Sequence, residues 1–150
     1  MNRHALRMTQ RLGFSYASDS RGTHPFIPVI DGEIVACPQI PTTLPTLDET
    51  LALEPDLTPA QAVERILQRA TDIEGDHVFT LRSEIEGMKL QSAFAQLLEG
   101  WKAQGVRLVA LCDLRAGLDL GKLPRHSVHL AEIPGRSGLR LIQGARFPDK

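Results

Sequence analysis

The chain predicts an α/β fold in which short parallel strands alternate with helices, forming a sector of a (β/α) barrel that is incomplete in this chain. Three observations lead there. Two apolar, β-branched runs, at residues 77–82 and 106–111, each give way to polar residues and read as buried strands. Amphipathic helices with N-terminal caps precede and separate them. No glycine-rich phosphate turn follows the first strand, as an open doubly wound sheet would carry. So few βα units leave parallel edges uncovered, and their unpaired backbone groups invite self-association or a partner chain.

Residues 2–12 set Ala5, Leu6, Met8 and Leu12 at near-helical spacing, with Gly13 as a stop. Residues 14–17 alternate as a strand and run into a polar turn at 18–22 that contains Asp19 and Arg21. In sheets wrapped by helices, groups just past the carboxyl ends of strands face ligand. Asp19 and Arg21 are therefore one candidate pair, and Arg82, Glu84 and Glu86, after the strand at 77–82, are the second set. The alternative is a solvated strand end with a local ion pair.

Pro25, Pro28, Pro38, Pro41 and Pro45 then interrupt the chain, with Asp31-Gly32 as a hairpin turn between Val29-Ile30 and Glu33-Ile34-Val35. This stretch predicts a stiff excursion over the surface, either a lid or substrate contact or a structural arm. Thr46-Leu47-Asp48-Glu49 has the spacing of a capping box. Thr58-Pro59-Ala60-Gln61 is a stronger start, and Ala60, Val63, Ile66, Leu67, Ala70 and Ile73 give one apolar face over residues 59–74. After the strand at 77–82, Leu90, Phe94, Leu97, Leu98 and Trp101 mark a second amphipathic helix closing at Gly105. Asp113-Leu114 follows the strand at 106–111 as the cap of a short helix, and residues 139–142 read as a last edge strand.

Composition bounds the partners. The length, 150 residues, suits a single domain over residues 1–150, and a net charge of −1 gives no basic excess for nucleic acid. The start of the chain lacks the apolar stretch of a secretory signal, which predicts a cytoplasmic location. Cys37 and Cys112 form no CxxC pair and read as reduced, partly buried thiols, and His126 and His129 read as surface histidines rather than metal ligands.

Several pieces together carry a family likeness. Phe14-Ser15-Tyr16-Ala17-Ser18-Asp19-Ser20-Arg21-Gly22, Pro25-Phe26, Gln39-Ile40-Pro41-Thr42-Thr43-Leu44-Pro45-Thr46-Leu47-Asp48-Glu49, and Phe79-Thr80-Leu81 through Glu84-Ile85-Glu86-Gly87 resemble the carboxyl-terminal half of the polysaccharide deacetylase family. The nearest branch is the deformylases acting on undecaprenyl-phosphate-linked 4-formamido-arabinose in lipid A modification. The likeness covers residues 1–114 and continues more weakly through 115–150. It implies a distorted (β/α) barrel, a divalent metal such as zinc that activates water, and hydrolysis of an N-acyl group on an amino sugar. A lipid-linked sugar would bring peripheral contact with the inner membrane.

The resemblance also assigns roles. The family's early Asp pair and His-x-x-x-His, which supply the base and metal ligands, are not in this sequence, so no metal ligand is expected here and the chain reads as beginning where the metal half ends. The family places a His, the acid for the leaving amine, after the Leu matched by Leu81, and Arg82 stands there instead. A guanidinium holds its proton too tightly to act as a general acid, so Arg82 is expected to be incompetent in that step. It remains able to bind a phosphate or stabilise an oxyanion. Asp19, Arg21, Glu84 and Glu86 match positions that orient substrate, and Leu81 would line the acyl pocket. Two readings follow: part of a metal-dependent sugar N-deacylase, inactive as this chain, or a noncatalytic remnant that binds sugar or lipid-phosphate. A partner chain carrying the metal half would make the first reading active.

Overall fold

The computed structural model describes residues 3–148. They form two compact units. The first takes the chain as far as Thr43, then Ala110–Glu132, then Gly138 onward; the second takes Leu44–Val109 and Ile133–Ser137.

The first unit holds a mixed five-stranded sheet. Helix α1 (Arg3–Arg11) leads into β1 (Ser20–Arg21), β2 (Ile27–Ile30) and β3 (Glu33–Ile34). After α5 (Leu111–Ala116) come the long strands β4 (Arg125–Ile133) and β5 (Arg136–Arg146). The strand order is β1-β5-β4-β2-β3, and the sheet does not close into a barrel. β1 runs parallel to β5 and β2 parallel to β4, while β2 and β3 are antiparallel. Asp31 at φ 53° and Gly32 at φ 80° make the tight turn between β2 and β3 that the Asp-Gly pair predicts. Leu6, Ile30, Val35, Cys37 and Leu141 form the core, with Ala17 and Val128 packed against it.

The proline-rich stretch does not run over the surface. Residues Cys37, Pro38, Gln39, Ile40, Pro41 and Thr42 are all buried. A buried loop is costly only when its backbone polar groups are unpaired, and many of these are paired. Ala17 N–H donates to Pro38 O, Ile40 N–H to Ala17 O, and Thr42 N–H to Ser20 O, while Phe26 and Gln39 exchange both bonds. Pro38 contributes the carbonyl, the group a proline still has.

In the second unit, three helices enclose the other core: α2 (Leu47–Leu53), α3 (Pro59–Asp72) and α4 (Gln91–Ala103). Both predicted capping boxes are present, Thr46 with Glu49 and Thr58 with Gln61. Leu44, Leu47, Ala62, Val63, Ile66, Leu90, Ala93, Leu97 and Trp101 are the buried centre. We expect Thr58→Ala to cost about 1 kcal/mol, because the N-terminal amides of α3 lose their acceptor. Equilibrium urea unfolding measures it, and an unchanged midpoint would mean that the cap adds nothing.

Neither apolar run is a strand. Residues 77–82 are extended but belong to none of the strands, and only Val78 in them is buried. Val78 O accepts from Leu44 N–H at 3.2 Å, and Phe79 packs its ring on Phe94 and Trp101. Residues 106–110 are irregular, with Val106, Leu108 and Val109 all exposed. Residues 14–17 hold one bridge, Ala17 to Gln39, and the strand lies later, in the predicted turn. Residues 139–142 sit in β5, which lies between β1 and β4 and so is interior to the sheet. Asp113 lies inside α5, whose cap is Ala110. Cys37 is buried and Cys112 exposed, and both are free thiols.

Candidate functional site

Arg82 is the hub of the charged groups in the second unit. Its guanidinium forms an ion pair with Asp48, in the first turn of α2. Its backbone N–H donates to Glu86 Oε2 at 2.7 Å. Glu86 is 1% exposed, and its other oxygen, Oε1, has no partner among the described residues. The Arg82 Nε–H is likewise buried without an acceptor.

The local helix explains how a glutamate comes to be buried there. Ile85–Lys89 winds as a π-helical turn, closed by Leu90 N–H donating to Ile85 O at 2.9 Å. This wide turn aims Glu86 back at the Arg82 amide while α4 presents Ala93, Leu97 and Trp101 to the core. Such turns recur at functional sites.

Thr46 ties a second pair to the first. Its hydroxyl donates to Asp48 Oδ1 at 2.6 Å and its backbone N–H to Glu49 Oε2 at 3.0 Å. The buried Glu49 then accepts from Arg136 Nη1 at 3.1 Å. Arg82 and Asp48 keep 34% and 24% of their side chains in contact with solvent. Carboxylates that accept and a guanidinium that donates suit the hydroxyls of a sugar. They do not suit proton transfer to an amine, since the guanidinium stays charged and is held by Asp48.

Of the other expected residues, Glu84 is exposed beside Ser83, and Leu81 is 47% exposed rather than part of a closed pocket. Asp19 and Arg21 belong to the first unit. Asp19 is exposed; partial shielding from water pushes its carboxyl above the ordinary aspartate value. Its N–H donates to Oε1 of the fully buried Gln39 at 3.1 Å. Asp19 also lines an open cavity of about 450 Å³ with Thr9 and residues 14–18. Arg21 is half-buried, in β1 opposite Ile142. Asp48, Glu49 and Arg136 were not anticipated as members of the cluster. The capping spacing accounts for the first two locally, and only tertiary structure reveals their second partners.

A catalytic divalent metal does not fit the residues described here. Among them no group of three or more His, Cys, Asp or Glu converges as a metal centre. His126 departs from the surface reading: it is 9% exposed, whereas His129 is exposed. No helix among the described residues is long and apolar enough to cross a membrane.

No family model matches the chain. Curated proteins do. The probable 4-deoxy-4-formamido-L-arabinose-phosphoundecaprenol deformylase of Wigglesworthia glossinidia brevipalpis is 30% identical over 139 residues, which is 91% of this chain and 47% of that protein. The protein of the same name from Shewanella sediminis is 32% identical over 133 residues, 89% of this chain and 41% of its own length. This chain is a relative of these deformylases. It spans less than half the length of the deformylases it matches, and the match fits a carboxyl-terminal part of a polysaccharide deacetylase-like protein. The deformylase likeness extends over nearly the whole chain, and so takes in the segments that carry Asp19, Arg21, Asp48, Arg82 and Glu86.

Proposed function

We propose that this chain is the substrate-orienting portion of a carbohydrate N-deacylase acting on an N-acyl amino sugar, carried on a lipid phosphate as in the names of its relatives. The observation that carries this is the match along nearly the whole chain to two deformylases. The exposed part of the Arg82–Asp48 pair and Glu84 would receive sugar hydroxyls or a phosphate, with Leu81 against the acyl group. Asp19 and Arg21 are assigned to substrate orientation on the resemblance. The reaction class needs an activated water and a proton for the leaving amine. The Arg82 guanidinium, held by Asp48, does not supply that proton.

The 150-residue chain alone is therefore expected to give no turnover of formamido or acetamido sugars, and Arg82→His to leave it at zero. An imidazole at position 82 restores a proton donor without creating a nucleophile. Release of formate or acetate above the blank by either protein would overturn this assignment. Binding is the positive test. A soluble formamido-sugar phosphate should shift the backbone amide signals of residues 81–86, and Arg82→Ala should weaken binding roughly tenfold, the loss of a charge-assisted hydrogen bond. An absence of shifts at millimolar ligand would remove the substrate role.

A second reading, a noncatalytic binder of sugar or lipid-phosphate, is favoured by Arg82 standing where the resemblance expects a histidine. The two separate on a complementation experiment. Adding the amino-terminal half of a relative to the Arg82→His chain should restore turnover on the first reading and leave binding alone on the second.

A further inference from the structure

The first unit carries a pair of histidines that none of the sugar chemistry uses. His24 follows β1, and His126 lies in β4 opposite Pro28 of β2. Their Nε2 atoms face each other at 3.2 Å, with the rings edge-on at a centroid distance of 5.0 Å. They are 102 residues apart in sequence.

Hydrogen-bond valences fix much of their state. His126 Nδ1 lies 2.9 Å from Gly144 O, a carbonyl that only accepts, so Nδ1 carries the proton and neutral His126 bares a lone pair at Nε2. Gln143 Oε1 accepts from Thr23 N–H at 2.7 Å, which turns the Gln143 amide nitrogen toward His24 Nε2 at 3.2 Å. That nitrogen donates, so it calls for a lone pair on His24 Nε2 as well. His24 Nδ1 then donates to Thr23 Oγ1 at 2.8 Å. The Gln143 N–H meets the His24 lone pair, and an ion between the two rings would take its place. Partial desolvation first, and then the neighbouring His126, lower the proton affinity of His24.

We propose that His24 and His126 form a two-imidazole clamp for a borderline transition-metal dication such as Zn²⁺ or Cu²⁺, with water in the remaining positions. Two imidazoles at about 2.0–2.1 Å from one tetrahedral zinc stand roughly 3.3 Å apart, close to the spacing here. The Nδ1–H of His126 held by a backbone carbonyl is the outer-shell contact that fixes a ligating ring. Imidazole selects Cu²⁺, Zn²⁺ and Ni²⁺ over Mg²⁺ and Ca²⁺, which prefer oxygen. His24 is exposed, so an ion reaches the pair from solvent. The residues assigned to sugar binding take no part, so the clamp stands or falls independently of the proposed function.

The test is titration of the 150-residue chain with Zn²⁺ alone and Cu²⁺ alone, followed by calorimetry. The expected result is one site per chain with a dissociation constant below about 0.1 mM. His24→Ala should weaken it roughly tenfold or more, while His129→Ala leaves it unchanged. Because His126 is buried and its replacement risks the fold, ring-nitrogen NMR of the unmodified chain provides the second readout. Zn²⁺ should move the Nε2 signals of both His24 and His126. Binding that survives His24→Ala, or a His24 Nε2–H that persists with and without Zn²⁺, would overturn the clamp and leave a direct N–H···N hydrogen bond in its place.

Discussion

Leu97→Ala is expected to remove about 3–5 kcal/mol of stability. Leu97 is fully buried in α4 and belongs to the cluster that joins α2, α3 and α4. The loss has two parts: the transfer free energy of the deleted methyls and a cavity that three helices cannot close together. Trp101, the only tryptophan in the chain, lies in the same cluster and reports its unfolding directly by fluorescence in urea. A loss under about 1 kcal/mol would mean that the helices pack loosely here.

Gly135→Ala is expected to cost about 3 kcal/mol or more, and for a different reason. Gly135 turns between β4 and β5 at φ +77°, and an added Cβ would come within 2.3 Å of the backbone oxygen of Glu49. Backbone cannot rotate away as a side chain can, so the turn must move. Moving it withdraws Arg136 from Glu49, a carboxylate whose side chain is 3% exposed. Removing one partner of a buried pair leaves a desolvated charge, which is the expensive outcome. Gly105 has nearly the same φ, +78°, with nothing within 4 Å of the added atom. Gly105→Ala should therefore cost only about 1 kcal/mol, the backbone component alone. Equal losses at the two positions would show that the contact with Glu49 adds nothing.

What could be read in the sequence was local chemistry. The capping boxes at Thr46 and Thr58, and the Asp31-Gly32 turn, need only neighbouring residues and a fixed spacing, and all are present. Strands were harder, because a short apolar run does not say what it pairs with. Residues 77–82 bury Val78 and place Phe79 against the helical core instead of in a sheet. β4 escaped notice because its burial is irregular and it carries Arg125, two histidines and Glu132, so no period-2 apolar signal stands out. The candidate site was legible in the same proportion. Arg82 and Glu86 stood out as charges after an apolar run, and the fold joins them through the Arg82 amide. Asp48 lies 34 residues before its partner, and nothing in a helix-start signature indicates a distant guanidinium.

The widened turn at Ile85–Lys89 bears on how chains of this kind should be compared. Each residue of an α-helix advances the side-chain direction by about 100°, so one residue more or fewer in that turn changes which way everything before it faces. Removing one would leave α4 seated and swing Glu86 away from the Arg82 amide. A one-residue gap aligned at this point would thus signal a change in the company Glu86 keeps, even between chains identical at every charged position.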